Sequence, residues 1–266
     1  MDTALWTRFV AVGDSFTEGL DDLLPDGTPR GWADLVAAAL ASRTPGFRYA
    51  NLAVRGRTLD PVVDEQVPAA LALGPDLVSF AAGGNDVLRP RFDLVAIGGR
   101  LDDAVARLGA AGATVVLFAG FDPSPRLPLG RVLAARADAY NGLIRAAAVR
   151  HGAVLVDLWR LPALADPRAW SADRLHLSAV GHAAVARAVL SALGQDPAAA
   201  GEEAAVAALV ARSRRQAVGE ELSWTWHHLL PWVGRRLRGR SAGDGRPAKR
   251  PSLEPVDAPG DAEVVH

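Results

Sequence analysis

The chain of 266 residues contains no cysteine. Disulfides, thiolate nucleophiles and cysteine-ligated zinc are therefore excluded, and the sequence carries no redox marker of its compartment. Lysine is nearly absent as well: Lys249 stands alone among many arginines. A formal net charge of -1 rules out a strongly basic, charge-driven nucleic-acid binder. No helix-turn-helix, zinc-finger or RNA-binding motif is present. No stretch approaches the ~20 apolar residues needed to span a bilayer. The first fifteen residues have no basic stretch followed by a long apolar one, so no secretory signal is expected and the cytoplasm is the expected location.

What is present is a large apolar fraction, 50% of the chain, enough for a packed core. Short apolar runs alternate with Ala/Leu/Val-rich segments of helical period, the pattern of βα units around a parallel sheet. Strands are expected at residues 8–12, 48–53, 77–81, 113–118 and 154–157. Helices are expected at 32–42, 61–73, 94–110, 131–150 and 179–193. Pro61 suits a first helical turn, Gly112 and Gly152 suit helix C-termini, and Ser178 suits an N-cap. The expected fold is a three-layer α/β/α domain over residues 1–194 with a five-stranded parallel sheet. A helical, Trp/Arg-rich extension should follow at 195–240. Residues 241–266, rich in Pro, Gly and Asp, are expected to form a disordered tail.

In such sheets, ligands bind beyond the carboxyl ends of the strands. Ser15 stands at one of these ends, in V-A-V-G-D-S-F-T-E-G, where a strand gives way to a turn and a helix start. A hydroxyl there has its own N–H near the orphan amides of a helix N-terminus, which suits attack that develops an oxyanion. Gly-Asp-Ser alone is a common turn. Asp173 and His176, in D-R-L-H, lie three apart, so a carboxylate can fix the tautomer of an imidazole that takes the serine proton. Asn85, in A-A-G-G-N-D after the third strand, can donate its amide to an oxyanion. Gly56, after the second strand, offers an unobstructed backbone N–H. Asp14 reads as structural, with its carboxylate turned to the backbone of the turn. His182 should face the sheet or solvent, and His151 should lie near a helix end. Leu88, Arg89, Pro90, Arg91 and residues 123–129 are expected to border the pocket.

With these four blocks in order, each at a strand end or in the loop after the fifth strand, the chain resembles the SGNH (GDSL-type) esterase/lipase family over roughly residues 8–193. The first block reads G-D-S-F in place of G-D-S-L, and the G-x-S-x-G elbow of α/β-hydrolases is absent. The resemblance implies a flavodoxin-like fold, Ser15 as nucleophile, His176 as base and Asp173 as the third triad member. It also implies an oxyanion hole made by Ser15, Gly56 and Asn85. No cofactor or metal is required, and the substrate class is a small-molecule, lipid or saccharide ester. Two other readings stand beside it. A metal-dependent phosphoesterase would use Asp14, Asn85, Asp86 and His176 as ligands, but its usual D-x-H and G-N-H blocks are missing. A catalytically silent binding protein could keep the fold, with residues 224–240 as a weak membrane-surface or protein contact.

Overall fold

The computed structural model describes residues 6–125, 130–200 and 243–256. The chain begins with β1 (Arg8–Gly13), α1 (Ser15–Glu18), α2 (Gly31–Ala41) and β2 (Arg48–Asn51). A short α3 (Leu59–Pro61) then runs through a π-helical turn, Val62–Gln66, into α4 (Val67–Ala72). Next come β3 (Leu77–Ala81), α5 (Gly84–Val87), α6 (Leu94–Ala110), β4 (Thr114–Ala119), α7 (Gly130–His151) and β5 (Val154–Asp157). Short 3-10 turns lead to α8 (Ala179–Ala192), and the described chain ends in β6 (Arg250–Pro255).

The sheet order is β5-β4-β3-β1-β2-β6. β1 to β5 are parallel, in the 2-1-3-4-5 winding whose direction reverses between β1 and β3. Alternate residues of β1 serve opposite faces. Phe9 and Ala11 join Trp32, Val36, Leu40, Val185 and Val189 beneath α2 and α8. Val10 and Val12 join Leu59, Val63, Leu101, Val105 and Ile144 beneath α3, α6 and α7. Two buried side-chain amides clip the ends of β1 and β4. Gln66 accepts from Gly13 N at 2.7 Å and donates to Gly13 O at 3.0 Å. Asn141 does the same at Gly120, just past β4, at 2.7 and 2.9 Å. Each backbone pair that leaves the ladder is thus satisfied, as burial demands.

Two expectations need correction. The sheet has six strands, not five, and the sixth comes from the segment expected to be a disordered tail. β6 lies antiparallel on β2, pairing Arg48 with Pro255 and Asn51 with Arg250. Its two prolines and lack of apolar alternation hide it in the sequence, yet both are tolerated at a sheet edge. A part-buried clip holds its entry: Lys249 Nζ donates to Pro29 O, Arg30 O and Asp34 Oδ2 at 2.9, 2.6 and 2.6 Å. The Trp/Arg-rich stretch 224–240 lies outside the described residues. Among the described residues, no helix is long and apolar enough to cross a membrane.

His182 is 1% exposed and joins three segments. Its Nδ1 accepts from Trp32 N and its Nε2 donates to Leu20 O, both at 3.2 Å, which sets one neutral tautomer. Burial pushes its pKa down to about 4. On acidification the unfolded chain takes this proton first, near pH 6.5, so the stabilising contribution is complete above 6.5 and is lost as pH falls toward 4. His182→Gln should therefore lie closer to the native protein in urea midpoint at pH 4 than at pH 7, and a pH-independent gap would refute the linkage.

Candidate active site

Ser15 opens α1 immediately after β1, and Asp14 caps that helix by accepting from Phe16 N at 3.1 Å. His176 Nε2 lies 3.0 Å from Ser15 Oγ. On the other side of the ring, Nδ1 is hydrogen-bonded to Asp173 Oδ2. The loop after β5 presents this pair because Asp173 Oδ1 gathers it locally. That oxygen accepts from Leu175 N and His176 N at 2.9 Å and from Ser171 Oγ at 2.7 Å. A bridge between Trp170 and Leu177 closes the loop's base. One carboxylate thus shapes the loop with one oxygen and orients the imidazole with the other.

The electrostatics follow from this geometry. Burial alone would raise the Asp173 carboxyl, but the hydrogen bond and charge of His176 outweigh it and hold the group well below the usual carboxylate range. For His176, burial would lower the pKa. The hydrogen bond and charge of Asp173, helped by Asp21 and Asp14, instead lift it above the ordinary imidazole value. Asp14 is pushed up to about 6, chiefly by burial, against the counter-effects of Phe16 N, His176 and Asn85.

Asn85 sits in α5, just beyond β3 across the topological reversal from Ser15. Its Nδ2 donates to Asp14 Oδ2 at 2.9 Å and to Arg57 O at 3.0 Å. The approach to Asn85 depends on Gly83, whose φ of +95° is left-handed and where a Cβ would strike the Tyr140 ring. Gly56 also has a left-handed backbone, φ +75°. Its loop is tied to α1 by Glu18, which takes Arg55 N at 2.7 Å and Arg55 Nε at 2.9 Å.

The structure therefore brings together all five residues singled out in the sequence. Ser15, Asp173 and His176 form one hydrogen-bonded chain. Ser15, Gly56, Asn85 and His176 line one cavity of about 710 Å³. Leu88, Arg89, Pro90, Arg91 and Pro123 border it as expected, Ser124 and Pro125 do not, and residues 126–129 lie outside the described residues. Asp14 meets the turn as expected but also grips Asn85. Its second contact, like the supports from Gln66, Glu18 and Asn141, joins residues far apart in sequence and leaves no local signature. Among the described residues, Asp14, Asp86 and His176 form no metal-ligating cluster. The acidic group around His176 is Asp21 with Asp173, a different set from the phosphoesterase reading.

A search of curated protein sequences finds no match. Solved structures resemble the chain throughout the α/β domain. LAE5, an α/β hydrolase enzyme from the metagenome of Lake Arreo, Spain, is 28% identical, with a TM-score of 0.60 over 71% of this chain and 95% of its own. TesA is 26% identical, with a TM-score of 0.59 over 70% of this chain and 97% of its own. Axe2, an acetylxylan esterase from Geobacillus stearothermophilus, is 22% identical and shares the fold, with a TM-score of 0.62 over 74% and 98%. The profile of the GDSL-like lipase/acylhydrolase family matches residues 11–184. That span carries the Ser15 turn, the Gly56 and Asn85 loops and the Asp173/His176 loop, and the chain belongs to the GDSL-like lipase/acylhydrolase family of serine ester hydrolases.

Proposed function

We propose that the chain hydrolyses carboxylic esters with Ser15 as nucleophile, His176 as general base and Asp173 as the group that orients it. The observation that carries this reading is the unbroken chain from Ser15 Oγ, at the cavity wall, through both imidazole nitrogens to Asp173 behind it. With Nδ1–H donated to Asp173, the Nε2 lone pair faces the hydroxyl. Ser15 Oγ bonds to the ester carbon as its proton passes to Nε2. The same proton then goes to the departing alkoxide as the ester C–O bond breaks. Water adds to the acyl-enzyme, giving its proton to Nε2, and Ser15 recovers it when the acid leaves.

The oxyanion of each tetrahedral intermediate would be held by the N–H groups of Ser15 and Gly56 and by the Asn85 amide. Both Asn85 hydrogens already have acceptors, Asp14 and Arg57 O. The amide therefore serves the oxyanion by sharing a hydrogen in a three-centre bond. Asn85→Ala should lower kcat by about 10²–10³ with KM little changed. A loss below threefold would remove Asn85 from the oxyanion hole.

The cavity favours an apolar acyl group. Leu88, Phe118, Phe121, Ile144, Leu158 and Leu175 contribute to its wall, which leaves room well beyond an acetyl group. A nitrophenyl ester series from acetate to octanoate tests this directly. Rates should rise with chain length, and Leu88→Trp should cut octanoate turnover about tenfold or more relative to acetate. Equal rates along the series, unchanged by Leu88→Trp, would exclude an acyl site there. Labelling of the wild-type protein by a fluorophosphonate tests the nucleophile itself and separates this reading from a silent binding protein.

A further inference from the structure

Two carboxylates from different parts of the chain approach the same nitrogen of His176. Asp173 Oδ2 takes the Nδ1 hydrogen, and Asp21 Oδ2 stands 3.9 Å from that nitrogen, a charge contact rather than a hydrogen bond. Asp21 belongs to the loop after α1, and its backbone is left-handed, with φ +69°. Few residues adopt that conformation, and Asp and Asn are among the most tolerant of it. The loop is pinned on both sides of Asp21. Leu20 O accepts from His182 Nε2 at 3.2 Å. Asp22 Oδ2 takes Gly31 N and Arg30 Nε, both at 3.1 Å. The Asp21 carboxylate is therefore placed by buried neighbours although its own side chain is 38% exposed.

We propose that Asp21 is a positioning residue acting through His176, a second carboxylate that stabilises the imidazolium formed when Nε2 takes the Ser15 proton. The proposal rests on His176 being the base. It divides the work between two acids: Asp173 sets the tautomer and ring angle by hydrogen bonding, whereas Asp21 adds negative charge beside Nδ1. Among the described residues, the other titratable groups near this ring are Asp14, just past β1, and His182, from α8. Asp14 works from a buried site and His182 is held neutral, so neither is screened by salt as Asp21 is.

Asp21→Asn tests this with little structural disturbance, because Asn keeps the left-handed backbone. Asp21→Gly is the companion variant, keeping the backbone freedom and losing the whole side chain. Both should retain the wild-type KM and melting temperature. Both should lower plateau kcat about threefold to tenfold and move the acid limb of kcat/KM to lower pH by about half a unit to one unit, the scale for a part-solvated charge at this range. The gap from wild type should largely close in 1 M salt, where the Debye length is about 3 Å. Wild-type kcat and acid limb in both variants at low salt would overturn the proposal. So would a loss that salt leaves untouched, since that would mark a structural effect. If Ser15→Ala stayed active, the underlying serine mechanism would fail instead; silent Asp21 variants beside an inactive Ser15→Ala would reject Asp21 alone.

Discussion

Replacing Ser15 with alanine is expected to lower kcat by about 10⁶, the scale seen when a serine hydrolase loses its nucleophile. The substitution removes one oxygen at the start of α1. It leaves the Asp14 cap, the Glu18–Arg55 tie and the Asp173–His176 pair intact. Folding and KM should therefore change little. Binding and the remaining oxyanion donors should keep a residual rate of about 10³–10⁴ over water. Fluorophosphonate labelling should disappear, because among the described residues Ser15 is the one hydroxyl on Nε2. An Ser15→Ala protein with near-native esterase activity would refute the mechanism, and chelator sensitivity of that activity would revive the metal reading.

The legible parts of this molecule are those with a local cause. β3, α6 and β5 fall where hydrophobic period and flanking residues place them, at Leu77–Ala81, Leu94–Ala110 and Val154–Asp157. Ser178 caps α8 by accepting from Gly181 N, as its position before that helix implies. Ser15, Gly56 and Asn85 could be found because each follows a strand, and a parallel sheet gathers strand ends at one edge. The illegible parts are long-range polar pairings. Gln66 clips Gly13 across 53 residues, and Lys249 reaches Pro29 across 220. No period or cap announces such contacts, because each is defined by where the sheet has already put its partner. β6 belongs with them, since an edge strand with prolines takes its order from β2 rather than from its own pattern. Asp21 is a similar case: D-D in a loop is ordinary until the fold turns one of the pair toward His176.

The sharpest check on the division of roles is His176→Ala, expected to lose about as much as Ser15→Ala, near 10⁶ in kcat. The two residues act as one unit, since an unactivated hydroxyl is a poor nucleophile and an imidazole without Ser15 has nothing to activate. The double variant should consequently be hardly slower than either single one. In the wild type, kcat/KM should rise with pH through a limb above the ordinary imidazole value, because only neutral His176 accepts the Ser15 proton and its carboxylate neighbours hold it protonated longer. That limb should vanish from the residual activity of His176→Ala. Asp173→Asn should fall between, at about 10⁴, with the wrong tautomer favoured when an amide faces Nδ1. Asn suits this test better than Ala, because Asp173 Oδ1 also accepts from Leu175 N, His176 N and Ser171 Oγ. An Asn retains an acceptor for those bonds, so its loss reports orientation of the imidazole, whereas an Ala would collapse the loop that carries it. If Asp173→Asn were as active as wild type, Asp173 would be a loop-shaping residue alone, and His176 would have to draw its orientation from elsewhere.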